Sequence, residues 1–564
     1  MEKDNCLEIK NIVDTHYDFL ESKENIDREF DNNFGVWNNY LEESRKIEES
    51  KALRFKYDCL NPKDGVVKFG LTKESACQRE DLEKLVRETR FSYEQENGSK
   101  GRKLVYIGDY ESFDDKKDSG EFINIRLKNP NVKLPNNGEI CLDYRENVVN
   151  IDRQSYAFSH IKLENNPYYD LKGILAGVTN PGTFPLVNEL SFLNGDLNES
   201  QKKAVRIALG TNSLAIIQGP PGTGKTSVII EIIRQILLEN QSNIQSKKIL
   251  LISQSHAAVD KMLEDLCESG PNLPTVVRIG RIDKLSKLVY EKFWLDSILE
   301  KWKKDVRNAC LKSREEYCGS LGVTVEEFEE YFAELEKKKI ITTKSSEESD
   351  KPDLKLIHAF ESKTSDKVKI RKMLEIQKRW SDSLENCEDV EKYIVQSAEI
   401  VAGTCTGFIS NDYIRDMAFD YLIIDEAAKA TLTELAVSLY GAKKAILVGD
   451  HKQLPPTIDT DIIKQMNVSG EDKQKLDDGV FKLLYENLPN ENKITLDCQY
   501  RMHPAIGTLI SSTFYDNKIG NGVSAEDRNV GIKEYENTAI EWISTSSFPN
   551  RFESADGDSY VNKL

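Results

Sequence analysis

Residues 215–230 read AIIQGPPGTGKTSVII. Gly219, Gly224, Lys225 and Thr226 stand there in the spacing G-x-x-x-x-G-K-T. The apolar run LAIIQ before them is predicted to be a strand, and TSVIIEIIRQIL after them a helix, which is the context this phosphate-binding spacing requires. Glycines let backbone N–H groups approach phosphate oxygens, and the start of the helix adds positive potential. The candidate nucleotide loop is therefore Gly219, Pro220, Pro221, Gly222, Thr223, Gly224, Lys225 and Thr226. Lys225 is expected to reach the β- and γ-phosphates, and the Thr226 hydroxyl to sit on Mg²⁺.

A second half is needed, and YLIIDEAAKA supplies it. Four apolar residues end in Asp425 and Glu426. A carboxylate at the end of a buried strand holds Mg²⁺ directly or through water, and its neighbour can orient or deprotonate the attacking water. The plain alternative is a strand end followed by two acids. With a phosphate loop upstream the catalytic reading is preferred. Asp425 lies 200 positions after Lys225, far more than one crossover needs. Compact ring-forming ATPases with a GPPGTGKT loop place the acidic strand closer.

Working outward, LAIIQ, KKILLIS, TVVRIG, EIVAGT, YLIIDEA and KAILVGD alternate with helical stretches. That pattern predicts an α/β fold, with a parallel sheet covered on both faces. Residues 1–60 carry spaced aromatics among charged residues and are predicted helical. Short β-rich runs between 100 and 165, from KLVYIGDY to NVVNIDRQSYAF, predict a small barrel within an accessory domain at 61–190. Residues 296–398 are charged and helix-prone, with a polar break at 342–353, and read as an inserted helical hairpin or stalk. The ATPase domain is set at 191–488 with that insertion inside it.

Bulk properties narrow the classes. Hydrophobic residues make up 39% of the chain, enough for ordinary cores. No basic flank with an apolar run opens the chain, and no apolar run approaches about 18 residues, so neither a signal peptide nor a membrane span is expected. The ten cysteines form no C-x-x-C pair, which argues against a zinc ribbon and fits reduced, intracellular thiols. A net charge of −18 weighs against nucleic-acid binding, although an acidic chain can still carry a basic groove.

Further stretches name a family. LNESQKKAV (197–205), SQSHAAVD (253–260), GTCTG (403–407), GDHKQLPP (449–456) and LDCQYRMHP (496–504) occur in this order. Together they resemble the superfamily 1 helicases, in the branch of the nonsense-mediated-decay RNA helicase and the Okazaki-flap helicase-nuclease. The resemblance runs from about residue 100 to the end. It implies a RecA-like phosphate-loop fold and roles at matching positions. Gln201 would bond the adenine edge, Gln453 would sense the γ-phosphate, Tyr500 would lie near the base, and Arg501 would reach the γ-phosphate. Ser255, His256 and Thr404 would contact the nucleic-acid backbone, loop capping being the alternative for His256 and Thr404.

The family's barrel and helical insertion also find counterparts, GEICLDYRENVVNIDRQSYAF resembling the barrel's last strands. The family's second RecA-like domain would begin near residue 489 and continue for about another 150 residues. The chain stops at SADGDSYVNKL, with nothing resembling the family's later motifs, so that domain is expected to be truncated. The resulting expectation is an intracellular, monomeric ATP-dependent helicase or translocase. It would use ATP and Mg²⁺ on single-stranded DNA or RNA, moving 5′ to 3′ as the branch suggests, without a membrane and with a protein partner for the insertion. The alternatives are an ATP-gated nucleic-acid-binding module or an inactive remnant, and an unrelated ring-forming ATPase.

Overall fold

The computed structural model describes residues 2–63, 65–76, 89–96, 102–116, 120–129, 134–164, 170–184, 190–242, 246–270, 274–280, 284–343, 352–385, 389–415, 417–528, 539–541, 544–548, 552, 554–556 and 559–561. They form two compact units, Met1–Ile232 with Leu422–Leu564, and Ile233–Tyr421. Among the described residues no helix is long and apolar enough to cross a membrane.

In the first unit, a helix spans Glu2–Lys51. Phe30, Phe34, Trp37, Leu41 and Ile47 are buried along it. From Phe30 to Leu41 the steps are four, three and four, and the buried Ser44 continues the row toward Ile47, as a helix packed along one side requires. Phe30 meets Phe34 at 5.2 Å between ring centres and Phe158 at 5.7 Å.

The barrel follows at once. Its strands are β1 (Arg54–Lys63), β2 (Val66–Leu71), β3 (Arg90–Glu96), β4 (Arg102–Lys116), β5 (Gly120–Leu127) and β6 (Gly138–Leu142). They close in the order β1-β2-β5-β4-β3-β6. Alternate residues fill the interior: Phe55 and Tyr57, Val67 and Phe69, Ile123 and Ile125, with Phe91, Ile107 and Ile140. The period of two is what a closed sheet with one inward face demands.

Two expectations change here. The barrel begins at Arg54, well before residue 100. NVVNIDRQSYAF is not a strand run but part of a helix, Arg145–Lys162. Ala157, Phe158 and Ile161 are buried on one side of it, at a helical spacing. Burial of that face outweighs the β-branched residues that suggested a strand.

The phosphate-loop strand is β7 (Leu214–Gln218), fully buried. Within the first unit it lies between β12 (Ala442–Gly449) and β13 (Lys493–Thr495), parallel to both. Gln218 is in register with Gly449 and with Thr495. β13 therefore extends the β7 sheet, so Lys493–Thr495, expected in the segment that begins at 489, join the phosphate-loop strand. After it come β14 (Cys498–Gln499), the helix Pro504–Phe514 and β15 (Gly520–Asn521), which pairs in parallel with β14. Part of what was assigned to a second domain, including 529–538, lies outside the described residues.

In the second unit, β8 (Ile249–Ser253), β9 (Val276–Arg278) and β10 (Ile400–Thr404) run parallel in the order β8-β10-β9. β11 (Phe419–Asp425) carries the chain back into the first unit. Every apolar run read as a sheet strand is one, and β7 and β8 are buried along their whole length, as strands covered on both faces must be. The insertion is more than a hairpin. Its helices include Leu295–Leu321, Val325–Thr343, Leu354–Lys363 and Val368–Glu385, around a core of Phe328, Tyr331, Phe332, Phe360 and Leu374. Tyr331 stacks on Phe360 at 4.2 Å. The polar break falls mainly on 344–351, outside the described residues.

Candidate functional site

The glycine loop turns tightly between β7 and the helix Lys225–Ser242. Gly219 N–H donates to Gly449 O at 2.8 Å, tying the loop's start to the neighbouring strand end. Gly222 and Gly224 hold φ of +77° and +80°, a region open to glycine at little cost. Both are also crowded. A Cβ on Gly224 would lie 2.5 Å from Gln201 Nε2, and one on Gly222 would lie 2.6 Å from Arg501 Cβ.

Lys225 folds back over the loop. Its ammonium donates to Gly219 O at 3.1 Å and lies 3.5 Å from Glu426 Oε1. Glu426 also pairs with Lys429 at 3.0 Å. Burial would raise the Glu426 carboxyl, but Lys225 and Lys429 hold it below its ordinary value. Its neighbour behaves oppositely. Asp425 is 7% exposed, and burial together with the Glu426 charge pushes its pKa up to about 6. Asp425 Oδ1 accepts the Glu426 N–H at 2.9 Å. Glu426 sits at φ +54°, a strained backbone for a non-glycine residue.

Gln201 lies on the helix Glu199–Gly210, and its amide is used at both ends. Oε1 accepts Asn198 N–H at 2.9 Å and Nε2 donates to Thr223 O at 3.0 Å. The Asn198 side chain accepts Gln201 N–H at 2.8 Å and donates to the Tyr500 hydroxyl at 2.8 Å. Tyr500 N–H in turn donates to Gly222 O at 2.9 Å. Gln201, the phosphate loop, Tyr500 and Arg501 thus meet in one place.

Gln499 shapes the loop that carries Tyr500 and Arg501. It is fully buried. Oε1 accepts the N–H groups of Arg501 at 2.9 Å and Met502 at 2.7 Å. Nε2 donates to Met502 O at 2.9 Å and Asn521 Oδ1 at 2.8 Å. All four hydrogen-bonding positions of the amide are filled. His503 Nδ1 caps the next helix by accepting Ala505 N–H at 3.2 Å.

Gln453 donates through Nε2 to Asp450 Oδ2 at 2.8 Å. Asp450 also accepts from Gln218 Nε2, Lys452 N–H and the Tyr515 hydroxyl. Sequence reading assigned no role to Asn198, Asp450, Gln499 or Tyr515. The first three fall inside quoted motifs, and that was their only mark.

Thr226 and Asp425 are oxygen donors of the kind Mg²⁺ takes. Among the described residues no group of three or more His, Cys, Asp or Glu side chains is placed to hold a metal. A donor set of one hydroxyl and one carboxylate suits Mg²⁺, which fills most positions with phosphate and water.

The second unit is built differently. Ser253 of β8 is in register with Thr404 of β10, so the loops carrying Ser255, His256 and Thr404 leave the same end of the sheet. Ser255 caps the helix His256–Glu268, its hydroxyl accepting Ala258 N–H at 3.2 Å. His256 Nδ1 lies 3.2 Å from Arg278 Nη2. Arg278 is fully buried and pairs with Asp260 at 2.9 Å. Gly407 N–H donates to Thr404 O at 3.1 Å.

Strand, glycine loop, helix and acidic strand end define a phosphate-loop nucleotide-binding protein of RecA-like fold. Two family models, each described as an AAA domain, match residues 196–461 and 476–564. The chain is similar to Helicase sen1 of Schizosaccharomyces pombe, 32% identical over 360 residues, covering 58% of this chain and 20% of that protein. DNA polymerase alpha-associated DNA helicase A of the same organism is 31% identical over 341 residues, covering 59% and 41%. DNA-binding protein SMUBP-2 of Rattus norvegicus is 29% identical over 368 residues, covering 64% and 31%. The matched segments and these relatives give the chain its likeness to the superfamily 1 helicases, in the branch of these relatives. It spans from a fifth to about two fifths of their lengths. Among solved structures, arterivirus nonstructural protein 10 (helicase) with DNA aligns at 11% identity and a TM-score of 0.25, over 57% of this chain and 43% of that one, too slight a likeness to bear on the fold.

Proposed function

We propose that the chain hydrolyses ATP and couples the hydrolysis to movement along a single strand of DNA or RNA. The observation that carries this reading is the junction at Gly222. The phosphate loop there accepts Tyr500 N–H at 2.9 Å and packs against Arg501. An arginine on a separate loop, seated at the rim of the phosphate loop, responds to whether a γ-phosphate is present.

ATP competes for the Lys225 ammonium, drawing it from Gly219 O and Glu426 onto the β- and γ-phosphates. Glu426 is then released by Lys225, with Lys429 still holding its carboxylate ionised, ready to orient a water and accept its proton. Thr226 and Asp425 would hold Mg²⁺, which when bound neutralises phosphate charge. Gln453 and Arg501 read the γ-phosphate, while Gln201 and Tyr500 bound the base. The loops after β8 and β10 take the strand, with Ser255, His256 and Thr404 on its phosphates. Hydroxyls and a helix N-terminus suit contact that ignores base sequence. The helical insertion serves a protein partner, and the chain acts as a monomer inside the cell.

The test is ATP turnover with and without single-stranded DNA and RNA, for the natural chain and for Lys225→Ala and Glu426→Gln. Strand-stimulated turnover that both variants abolish is expected, and the preferred strand identifies the substrate. Turnover indifferent to any strand would reduce the chain to an ATP-binding module.

A further inference from the structure

Asp450 is a saturated junction. Its carboxylate is 2% exposed and takes four donors. Oδ1 accepts Lys452 N–H at 3.1 Å and Gln218 Nε2 at 3.2 Å. Oδ2 accepts Gln453 Nε2 at 2.8 Å and the Tyr515 hydroxyl at 2.6 Å. A carboxylate offers about four acceptor positions, so none remains. Gln218 immediately precedes the phosphate loop. Tyr515, 7% exposed, ends the helix Pro504–Phe514 that starts just after Arg501. Gln453 and Tyr515 thus share one oxygen, and neither can move on it without disturbing the other.

We infer that Tyr515 is a positioning residue for Gln453: its hydroxyl on the shared Asp450 oxygen sets where the Gln453 amide points, linking the helix behind Arg501 to γ-phosphate sensing. This rests on the motor reading given above. With one N–H held on Oδ2, Gln453 keeps its second N–H and its carbonyl oxygen for a ligand. Without the phenol, Oδ2 loses a charge-assisted donor in a buried setting. The Gln453 amide, the one donor left on Oδ2, is then drawn further onto it. It would leave the γ-phosphate to satisfy the carboxylate, because an undersatisfied buried charge is the costlier defect. The same link runs in reverse: a shift of the helix behind Arg501 pulls on Oδ2 and reorients Gln453.

The experiment compares kcat and KM for ATP, with saturating single-stranded oligonucleotide, among the natural chain, Tyr515→Phe, Gln453→Ala and the double variant. Tyr515→Phe is expected to lower kcat about tenfold, the scale of one hydrogen bond to a charged group, with KM nearly unchanged. The double variant is expected to be no worse than Gln453→Ala alone, since residues acting through one another do not add. Multiplying losses, or a fall in KM and kcat that follows a lowered melting temperature, would overturn the inference. A second arm needs no turnover. The affinity ratio of a non-hydrolysable ATP analogue to ADP should drop in Tyr515→Phe as it does in Gln453→Ala. A natural chain that discriminates the two nucleotides but hydrolyses no ATP with any strand sinks the motor reading and leaves this link standing. A Tyr515→Phe variant that discriminates as well as the natural chain sinks the link alone.

Discussion

The loops around the phosphate-binding strand and those after β8 and β10 are both rich in motif residues, yet they are held in different ways. In the first set, side chains far apart in sequence bond to one another: Asn198 to Tyr500, Gln218 to Asp450, Asp450 to Tyr515. In the second set Ser255 caps its own helix and Thr404 O accepts within a local turn. His256 reaches further, to Arg278, and Cys405 Sγ approaches Ser253 O at 3.9 Å. The difference follows from the work proposed for each. Phosphoryl transfer needs groups preorganised against a developing charge. Gripping a strand without reading its bases needs only N–H and hydroxyl groups presented at a surface. The first set is therefore expected to fail abruptly on substitution, and the second gradually.

The largest expected effects lie at Lys225 and Glu426. Glu426→Gln should cut turnover by about a thousandfold, the scale of losing a principal group in phosphoryl transfer, while leaving ATP affinity close to its natural value. Lys225→Ala should lose affinity as well, since Lys225 is expected on the phosphates themselves. Glu426→Gln also removes the charge that holds Lys225 on the protein side at 3.5 Å. Equilibrium binding of a fluorescent ATP analogue separates the two. Equal loss of affinity in both variants would deny Glu426 a chemical role.

A glycine pair sharpens the contrast. Gly222 sits at φ +77° with Arg501 Cβ 2.6 Å from any added Cβ. Gly222→Ala should therefore lower basal turnover about tenfold or more, through strain of about 1–2 kcal/mol and a displaced Arg501 loop. Gly407 has an ordinary φ of −81°, and although an added Cβ there would lie 2.4 Å from Thr404 Oγ1, that contact is with one side-chain hydroxyl and not with the phosphate loop. Gly407→Ala should leave strand-free turnover within about twofold and weaken strand stimulation instead. Equal effects on strand-free turnover would erase the proposed division of labour.

How much of this could be read in advance depends on how far each feature is local. The strand runs, the glycine loop and Asp425–Glu426 were legible because each is a short pattern with a direct physical reading. The resemblance supplied Gln453 and Arg501. What stayed hidden depends on long-range pairing. Nothing in FYDNK marks Tyr515 as the partner of Asp450, 65 positions earlier. Gln499 shows its function only once its four bonds are seen. The barrel's early strands escaped because charged and polar residues interrupt RFKYDCLNPK, leaving Phe55 and Tyr57 buried inside and Leu60 partly buried against them. KIT was assigned to the later segment because three residues carry no sign of which sheet they join; pairing with β7 decides it.

The smallest effect belongs to Ser255, where capping and strand contact make competing demands. Its hydroxyl accepts Ala258 N–H at 3.2 Å, so Ser255→Ala should cost about 1 kcal/mol of stability, the usual worth of a cap. That loss alone says nothing about the strand. Ser255→Asp separates the two roles. Aspartate caps as well as serine and favours the positive end of the helix, so stability should match or exceed that of the natural chain. Its charge, however, would face the strand phosphates. If Ser255 touches the strand, Ser255→Asp should weaken single-strand affinity about tenfold or more at low salt, with the deficit shrinking as salt rises. Thermal unfolding and fluorescence-anisotropy titration of the same samples would decide. Natural strand affinity in the aspartate variant would leave Ser255 a helix cap and move the proposed strand path away from the loop after β8.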